Sequence, residues 1–370
     1  MAPLSSSEHG KNARRPGPKT VAAAGVGAVG IAAAAVAVHR YGGRRHPDSG
    51  PYGFTPDETM NVVATDGTPL HVEINTPARS TRRGRPTVVL CHGFALNLTA
   101  WVFQRRDLVD AGYRVVAYDQ RNHGVSDAGD REHCTIEQLG QDLHAVIEAV
   151  APDGPLVLVG HSMGGMTVMS FAGQYPEIIA DRARAVALVS TSAGGKGVVS
   201  IGFGKMLDLF VVRFGPSVLV NLSARRRIWG NLRKVGREME MLATKRFGFG
   251  GPVPKDLLRY TSDVIFSTPL DTIAAFLPHL DDLDVRDALA GLASTEVSVI
   301  NGSKDELTPP DHSDDIVERL PHAEHVVVPG AGHLLPYEKP ELVSREILSL
   351  IERGLKTPGA TRGPRAWIGA

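Results

Sequence analysis

One short segment in the middle of the chain constrains the fold more than any other. Residues 156–159 form an apolar run typical of a strand, and the sequence G-H-S-M-G-G at 160–165 follows at once and opens a helical pattern. Strand, G-x-S-x-G and helix in this order require a turn so tight that Ser162 takes a strained backbone conformation. Gly160 and Gly164 let the strand and the helix approach without Cβ clashes. A glycine-rich turn alone would also fit G-x-S-x-G, but the strand-to-helix context indicates a serine nucleophile above a sheet.

The segments on either side repeat a rhythm of strand, loop and helix. Their β-branched runs are uniformly apolar rather than alternating, as expected for parallel strands that helices cover on both faces. Ahead of them, two strand-like runs flank Asp66-Gly67, a dipeptide typical of a type I′ hairpin turn. The sequence therefore predicts an α/β fold with a doubly wound, mostly parallel sheet and an antiparallel entry. The predicted parallel strands are residues 87–91, 114–118, 156–159, 185–190, 297–300 and 325–328. The predicted helices between and after them are residues 98–111, 135–150, 163–175, 316–320 and 342–351.

One connection breaks this rhythm. About a hundred residues separate Ser192 from the predicted strand at 297–300, far more than a helical crossover needs. An inserted helical cap is therefore predicted at residues 194–292. Within it, residues 204–246 carry ten basic against three acidic side chains. Two interpretations of that charge remain open, a solvated substrate lid and a cap that faces anionic lipid.

The N-terminal part of the chain has a composition of its own. After a basic segment, residues 21–38 contain only Ala, Gly, Val and one Ile, and arginines follow again. This length is near the minimum for a spanning helix, so we expect a single-pass membrane anchor with the catalytic domain outside the cytoplasm. A cleaved signal peptide, which would make the protein secreted, and a cytosolic leader remain open alternatives.

These patterns divide the chain into consecutive parts. The predicted parts are a basic N-terminal segment (1–20), a membrane anchor or signal segment (21–38), a linker (39–58), the first part of the α/β core (59–193), the helical cap (194–292), the second part of the core (293–356) and a disordered tail (357–370).

Charge and cysteine content exclude several classes of function. Lys plus Arg equals Asp plus Glu at 40 each, so no global field recruits nucleic acid. Cys91 and Cys134 are the only cysteines, too few for a disulfide framework and without the spacing of a zinc site. We therefore expect a small-molecule substrate, no nucleic-acid partner, no metal and no cofactor.

Two further side chains complete the chemistry that a serine nucleophile needs. A hydroxyl is weakly nucleophilic at neutral pH and requires a base that a third group orients. In a sheet of this kind the order along the chain is serine, acid, histidine, with the acid and the histidine after the last strands. Asp305 and His333 stand in such loops. The sequence predicts Ser162 as nucleophile, His333 as general base and Asp305 as orienting acid, with Glu306 and Asp311 as alternatives for the acid.

Two backbone N–H groups are predicted to form the oxyanion hole. Met163 N–H lies at a helix N-terminus, where unsatisfied donors and the helix dipole favour a negative charge. The second donor should come from the loop after residues 87–91, which reads C-H-G-F-A. Gly93 lets that backbone fold toward the nucleophile, and this assigns Phe94 N–H.

The motifs together resemble the α/β-hydrolase superfamily, in its broad esterase, lipase and haloperoxidase-like group, over roughly residues 59–353. The motifs that carry the resemblance are H-G-F at 92–94, G-H-S-M-G-G at 160–165, Gly302 to Asp305, Gly332-His333 and D-Q-R-N-H-G-V-S at 119–126. The set is specific for fold and mechanism and unspecific for substrate. It implies a serine hydrolase that works through an acyl-enzyme and needs no cofactor.

Several neighbouring residues are interpreted as structural. In the last of those motifs, Arg121 should brace loops and Gly124 should turn the chain. His92 is interpreted as a loop histidine bonded to backbone rather than a second base. Trp101 and Phe103 fit equally well as walls of an acyl pocket and as helix-core packing.

Hydrolysis of carboxylic esters, including lipid esters, is the function that these observations favour. Thioester hydrolysis and cofactor-free haloperoxidase or perhydrolase activity would use the same machinery. Ser162 disfavours dehalogenase chemistry, which needs a carboxylate nucleophile. A hydrolase-fold receptor or scaffold without turnover is the alternative from another class, and the presence of all three predicted triad residues disfavours it.

Overall fold

The structure, a computed structural model, describes residues 50–78, 84–195 and 229–356, with Pro51 and residues 229–235 described by their backbone only. The predicted anchor at 21–38, the tail at 357–370 and most of the basic segment at 204–246 lie outside these ranges. Within them, no helix combines the length and the apolar character that crossing a membrane requires.

An eight-stranded sheet forms the centre of the described part. Its strands are β1 (Glu58–Val63), β2 (Pro69–Asn75), β3 (Thr87–Cys91), β4 (Arg114–Tyr118), β5 (Leu156–His161), β6 (Ala183–Val189), β7 (Glu296–Gly302) and β8 (Glu324–Val328). They lie in the order β1-β2-β4-β3-β5-β6-β7-β8. β2 pairs antiparallel with both β1 and β4, and all other neighbours pair parallel. The predicted mostly parallel sheet with an antiparallel entry is confirmed.

The turn between β1 and β2 differs from the predicted type I′ turn. Gly67 has φ 86°, but Asp66 does not share a positive φ. The N–H of Gly67 donates to the carbonyl of Ala64, and the N–H of Ala64 donates to the carbonyl of Thr68, each over 2.9 Å. This is a type I turn closed by a glycine bulge. The Asp66 carboxylate accepts the Thr68 N–H at 3.1 Å and two bonds from Arg121, which holds Asp66 in an ordinary backbone conformation.

Helices cover both faces of the sheet because its strands are apolar on both sides. In β3, Val89 and Cys91 belong to one buried cluster, and Val88 and Leu90 belong to another. The helices in the described part are α1 (Val102–Asp110), α2 (Ile136–Val150), α3 (Met163–Gln174), α4 (Pro176–Arg182), α5 (Trp229–Gly248), α6 (Lys255–Ser267), α7 (Leu270–Asp281), α8 (Pro310–Arg319), α9 (Leu335–Glu338) and α10 (Pro340–Lys356). Helices α2 and α3 supply residues to the first cluster, and α1 and α10 supply residues to the second.

The long connection between β6 and β7 contains helices α5, α6 and α7 in its described part, as an inserted helical segment requires. A third buried cluster joins this segment to the core, because Phe249 and Val264 pack with Leu96 and Leu334. The described part of the insertion is thus packed against the loop that carries His333. The boundaries of the cap at 194 and 292 stay predictions.

The strand order reverses at β3, which has β4 on one side and β5 on the other. Loops that leave neighbouring strands in opposite directions at such a point open a crevice at the carboxyl edge of the sheet. Ser162 follows β5, Asp305 follows β7, His333 follows β8 and Phe94 follows β3. The fold therefore brings the predicted site residues to one edge.

Candidate active site

The turn between β5 and α3 holds Ser162 in a conformation rare for a residue with a side chain, with φ 52° and ψ −120°. The Ser162 N–H donates to the carbonyl of Val189 over 2.9 Å, which fixes the turn on the neighbouring strand. A Cβ at Gly160 would lie 2.3 Å from the carbonyl oxygen of Gly164, and one at Gly164 would lie 2.1 Å from that of Cys91. Both glycines are therefore required by close backbone contact, as the motif predicts.

The three predicted triad residues meet in a single chain of hydrogen bonds. The hydroxyl of Ser162 donates to His333 Nε2 over 3.0 Å, and His333 Nδ1–H donates to Asp305 Oδ2 over 2.8 Å. All three side chains are buried. The arrangement presents a hydroxyl to an unprotonated imidazole nitrogen whose other nitrogen is held by a carboxylate.

Asp305 is fixed from several sides. Its Oδ1 accepts the N–H groups of Leu307 at 2.8 Å and Thr308 at 2.9 Å, and its Oδ2 accepts the Thr308 hydroxyl at 2.9 Å. Burial alone would raise the pKa of this carboxyl, but its electrostatic interaction and hydrogen bond with His333 and the two N–H donors hold the pKa below its ordinary value. Asp305 thus remains a carboxylate beside the histidine. The sequence reasoning did not single out Thr308, whose only signal is its place three residues after the acid.

Neither alternative acid lies against the histidine. Glu306 is part of an exposed ion pair, with its Oε1 2.6 Å from Arg246 Nη1. Asp311 is exposed in the first turn of α8. The structure therefore brings Asp305, and not these two residues, to the Nδ1 side of His333.

His161, directly before the nucleophile, is a second histidine in contact with the site. Its Nε2–H donates to the backbone carbonyl of His333 over 2.9 Å. Burial lowers the pKa of His161 to about 3, with the neighbouring His333 as a smaller cause. His161 is therefore neutral at physiological pH and holds the loop of His333 through a hydrogen bond. In the sequence, His161 is marked only by its place in the G-H-S-M-G-G motif, which does not predict this contact.

The loop after β3 passes directly over the nucleophile. A Cβ at Gly93 would lie 3.2 Å from the Cβ of Ser162, so the backbone next to Phe94 is in contact with the serine. The loop turns at Ala95, which has φ 57°. Met163 is the first residue of α3, where N–H groups have no partner inside the helix. Both predicted oxyanion donors therefore belong to segments that border Ser162.

Arg121, Gly124 and His92, which the sequence predicts to be structural, contact neighbouring loops and backbone rather than the nucleophile. Arg121 is buried and ion-paired with Asp142 at 2.6 Å and with Asp66 at 2.7 Å, so it braces loops as predicted. Gly124 has φ 52°, and a Cβ there would lie 2.1 Å from the carboxylate of Asp119. His92 is bonded to backbone at both ring nitrogens, with Nδ1 2.8 Å from the Gly93 carbonyl and Nε2 2.9 Å from the Gln120 nitrogen.

A pocket opens at Ser162 and His333 and encloses about 560 Å³ of empty space, open solvent included. Its other lining is almost entirely apolar and comes from the core loops and from the insertion. The lining residues are Phe94, Leu96, His161, Ala243, Thr244, Phe247, Gly248, Ile265, Phe266, Leu307 and Leu334. Trp101 and Phe103 do not belong to this lining. Trp101 is buried beside His161, and Phe103 packs edge-on against Tyr52, so helix-core packing is the correct interpretation for both.

One cluster in the described ranges has ligand atoms close enough to share a metal ion, formed by Asp130, Glu132 and His133. It is largely exposed and contains none of the site residues. His133 Nδ1 lies 3.2 Å from Asp66 Oδ2, outside the cluster. We assign it no metal.

Comparison with known proteins agrees with this fold. The model of the family described as alpha/beta hydrolase fold matches residues 86–340. Epoxide hydrolase A of Mycobacterium tuberculosis is 30% identical in an alignment 329 residues long that covers 79% of this chain and 97% of the relative. An sn-1-specific diacylglycerol lipase of Mus musculus is 28% identical in an alignment 262 residues long that covers 69% of this chain and 78% of the relative.

Solved structures share the same architecture. A thermophilic esterase from Thermogutta terrifontis has a TM-score of 0.58 at 25% identity and covers 80% of this chain and 99% of its own. A bromoperoxidase from Bacillus anthracis has a TM-score of 0.61 at 20% identity, with 80% of this chain and all of the other covered, and shows the fold alone.

Proposed function

The chain belongs to the α/β-hydrolase fold family, and from that premise we propose that it is a serine hydrolase that cleaves carboxylic esters through an acyl-enzyme on Ser162. The observation that carries the proposal is the chain of hydrogen bonds from Ser162 Oγ through His333 to Asp305. This is the arrangement that converts a weakly nucleophilic hydroxyl into an attacking group.

The proposed reaction has two halves. In the first, Ser162 Oγ attacks the ester carbonyl while His333 Nε2 takes its proton, and Asp305 stabilises the imidazolium. The oxyanion accepts hydrogen bonds from the N–H groups of Phe94 and Met163. His333 then returns the proton to the alkoxide as the carbon–oxygen bond breaks. In the second half His333 deprotonates water, which attacks the acyl-enzyme, and the carboxylic acid leaves as Ser162 regains its proton.

A serine at this position favours acyl transfer over opening of an epoxide, the activity in the name of one relative. Attack of Ser162 Oγ on an epoxide carbon would form an ether, and water does not hydrolyse an ether under these conditions. The enzyme would stop after one turnover. Attack on an ester gives an acyl-enzyme that water can cleave, so the nucleophile in this chain fits an ester substrate.

The pocket supports an apolar group on the substrate. Apart from Ser162 and His333, almost all of the surface that lines it is apolar, as is usual for a site that binds a small molecule. Phe94, Leu96, Ile265 and Leu307, which line it, have hydrocarbon side chains. Burial of an acyl or alcohol chain there is favourable at roughly 0.8 kcal/mol per CH₂ group. We therefore include lipid esters among the proposed substrates.

A panel of p-nitrophenyl esters from acetate to palmitate tests the proposal, with fluorophosphonate labelling of Ser162 and the Ser162→Ala variant as control. We expect labelling and turnover by the parent protein only, with kcat/KM rising from acetate toward longer chains. The proposal would be contradicted if the protein hydrolysed an epoxide but none of the esters. It would also be contradicted if the protein neither reacted with the fluorophosphonate nor hydrolysed an ester. Assays with thioester substrates test for thioesterase activity. Assays with hydrogen peroxide in place of water as the acyl acceptor test for perhydrolase activity.

The proposed localisation rests on the composition of residues 21–38, which are uncharged and lie between basic segments. We propose that they anchor the enzyme in a membrane by a single pass, with the catalytic domain outside the cytoplasm. An ester substrate in the lipid phase would then be delivered close to the pocket.

A further inference from the structure

The loop that carries His333 is connected to α5 and to the turn after it on both sides of the histidine, directly on one side and through Glu338 on the other. On one side, the Gly332 N–H donates to Glu338 Oε2 over 2.8 Å. On the other, the Leu334 N–H donates to the carbonyl of Gly248, the last residue of α5, over 2.7 Å. The backbone of His333 is therefore held between two contacts that lead to α5 and to the turn after it.

The carboxylate of Glu338 is the centre of this connection. Besides Gly332, it accepts the N–H of Gly250 at 3.0 Å and the N–H of Gly251 at 2.6 Å. Gly250 and Gly332 share the oxygen Oε2. One side chain thus collects three backbone donors from two segments about 80 residues apart in the chain, and carboxylates form the stronger class of hydrogen bonds with such donors.

The two segments are in close contact along a seam formed by Gly248, Gly250 and Gly332. An added Cβ at any of these glycines would clash with the other segment. A Cβ at Gly250 would lie 2.4 Å from the carbonyl oxygen of Gly330, and a Cβ at Gly332 would lie 2.5 Å from the Gly250 nitrogen. A Cβ at Gly248 would lie 2.6 Å from a methyl carbon of Leu334. A shift of this turn by part of an ångström must therefore move the loop of His333 with it.

The same helix also contacts the substrate space, because Ala243, Thr244 and Phe247 of α5 line the pocket. We propose that Glu338 is a positioning residue, which holds Gly332 and hence His333 in register with Ser162 and couples that register to the position of α5. The inference rests on the proposed function, since it concerns the base of that reaction. Glu338 does not touch the reacting atoms and acts through the backbone of His333.

The test compares Glu338→Gln and Glu338→Ala with Glu341→Gln, an exposed glutamate in the first turn of α10, as matched control. We expect Glu338→Gln to lower kcat for a p-nitrophenyl ester by about 10- to 100-fold, because misplacement of a catalytic group by about 1 Å has effects of that size. KM should change less than about twofold, since the pocket is intact. Fluorophosphonate labelling should slow by the same factor as kcat. Glu338→Ala should have the larger effect, because the amide of the glutamine variant keeps one acceptor oxygen.

A second variant tests the coupling itself. Gly250→Ala pushes the turn away from the loop of His333 and should lower kcat in the same way. The double variant Glu338→Gln, Gly250→Ala should be no worse than the poorer single variant, because both remove one connection. Hydrogen exchange at residues 330–335 should be faster in all three, with circular dichroism unchanged.

The outcomes separate this inference from the proposed function. If the parent protein neither reacts with fluorophosphonate nor hydrolyses esters, the proposed function fails and the positioning of its base fails with it. If the parent protein does both and Glu338→Gln matches it in kcat and labelling rate, the inference alone is overturned. A kcat that falls only in proportion to the folded fraction would equally overturn it.

Discussion

Ser162 combines a strained backbone with the proposed chemistry. A non-glycine residue at φ 52° with ψ −120° carries a conformational cost of about 1–3 kcal/mol. The surrounding contacts hold it there, because the Ser162 N–H is bonded to Val189 and its carbonyl accepts the hydroxyl of Thr191 at 2.7 Å. The hydroxyl itself carries none of these backbone contacts. Its removal should therefore leave the turn intact.

Ser162→Ala should lower ester turnover by about 10⁴-fold or more while the protein stays folded, because only binding and oxyanion stabilisation remain. Steady-state kinetics with p-nitrophenyl butyrate and circular dichroism measure the two effects. Ser170→Ala, a buried serine two turns further along α3, is the matched control and should stay within about twofold of the parent protein. A pure Ser162→Ala protein with most of its activity would contradict the mechanism.

Asp305 and Glu306 are neighbours in sequence with opposite surroundings. Asp305→Asn should lower kcat by about 10²- to 10⁴-fold, because an amide cannot stabilise the imidazolium and favours the wrong tautomer of His333. Glu306→Gln removes only an exposed ion pair and should leave kcat within about twofold. His333→Ala should be about as damaging as Ser162→Ala. If Glu306→Gln were inactive and Asp305→Asn active, the assignment of the acid would be wrong.

Helix α5 offers a direct test of the pocket. Ala243 lines it, whereas Leu242 on the same helix is exposed. Ala243→Phe should fill space that a long chain needs and lower kcat/KM for esters of eight or more carbons by about tenfold or more, with acetate changed by less than about threefold. Leu242→Phe places the same side chain on the outer face and should leave the chain-length profile unchanged. Equal loss for acetate and decanoate in Ala243→Phe would place the acyl chain elsewhere.

At the scale of elements, the parallel strands were predictable almost to the residue. They are short runs made up mostly of apolar residues, and the predicted limits of β3 and β4 agree with the structure. Helix limits were less predictable where polar residues begin a helix. Residues 316–320 were predicted, but α8 begins at Pro310, because its first turns start with a proline and are polar even where they are buried, as at His312 and Ser313, so they lack an apolar helical pattern. Helix α4 was missed for a similar reason, since it begins with Pro176 directly after α3.

The site residues also fall into two groups, those that could be predicted from the sequence and those that could not. Ser162, Asp305 and His333 could be predicted because each stands in a loop of recognisable sequence after a strand. His161 and Glu338 could not, because their partners are backbone groups brought close only by the folded chain. Thr308 could not, because its bonds to the Asp305 carboxylate depend on how this loop folds. Backbone donors carry no sequence signature. Contacts of this kind therefore need the three-dimensional structure.

For the whole molecule, the cluster of Arg121 with Asp66 and Asp142 links stability to pH. The hydrogen bond from Arg121 is the largest influence on Asp66 and holds the pKa of this carboxyl below its ordinary value. Asp66 therefore stabilises the fold above the pKa of about 3.9 that it has in the unfolded chain, and this contribution is lost as pH falls toward its folded pKa. The free energy of unfolding, measured with urea, should fall less between pH 7 and pH 3 in Asp66→Asn than in the parent protein. Asp153→Asn, at an exposed position, should follow the parent protein. Parallel curves for Asp66→Asn and the parent protein would contradict this link.

The N-terminal proposal is tested on the whole chain. Removal of residues 1–50 should give a soluble protein with unchanged ester hydrolysis, because the described core begins after this segment. The full-length protein should be found in the membrane fraction and be released by detergent but not by salt or alkaline carbonate. A full-length protein in the soluble fraction, or a mature N-terminus near Ala37, would overturn the anchor.

The seam at Gly248, Gly250 and Gly332 also limits how such a chain can evolve. The insertion follows Ser162 and precedes Asp305 and His333, so recombination could replace it as a module and change selectivity without disturbing the chemistry. A crossover point upstream of Gly248 would inherit the native seam with Glu338. A crossover point downstream of Gly251 would import foreign residues into a space with no room for a Cβ. Viable chimaeras should therefore cluster on the upstream side.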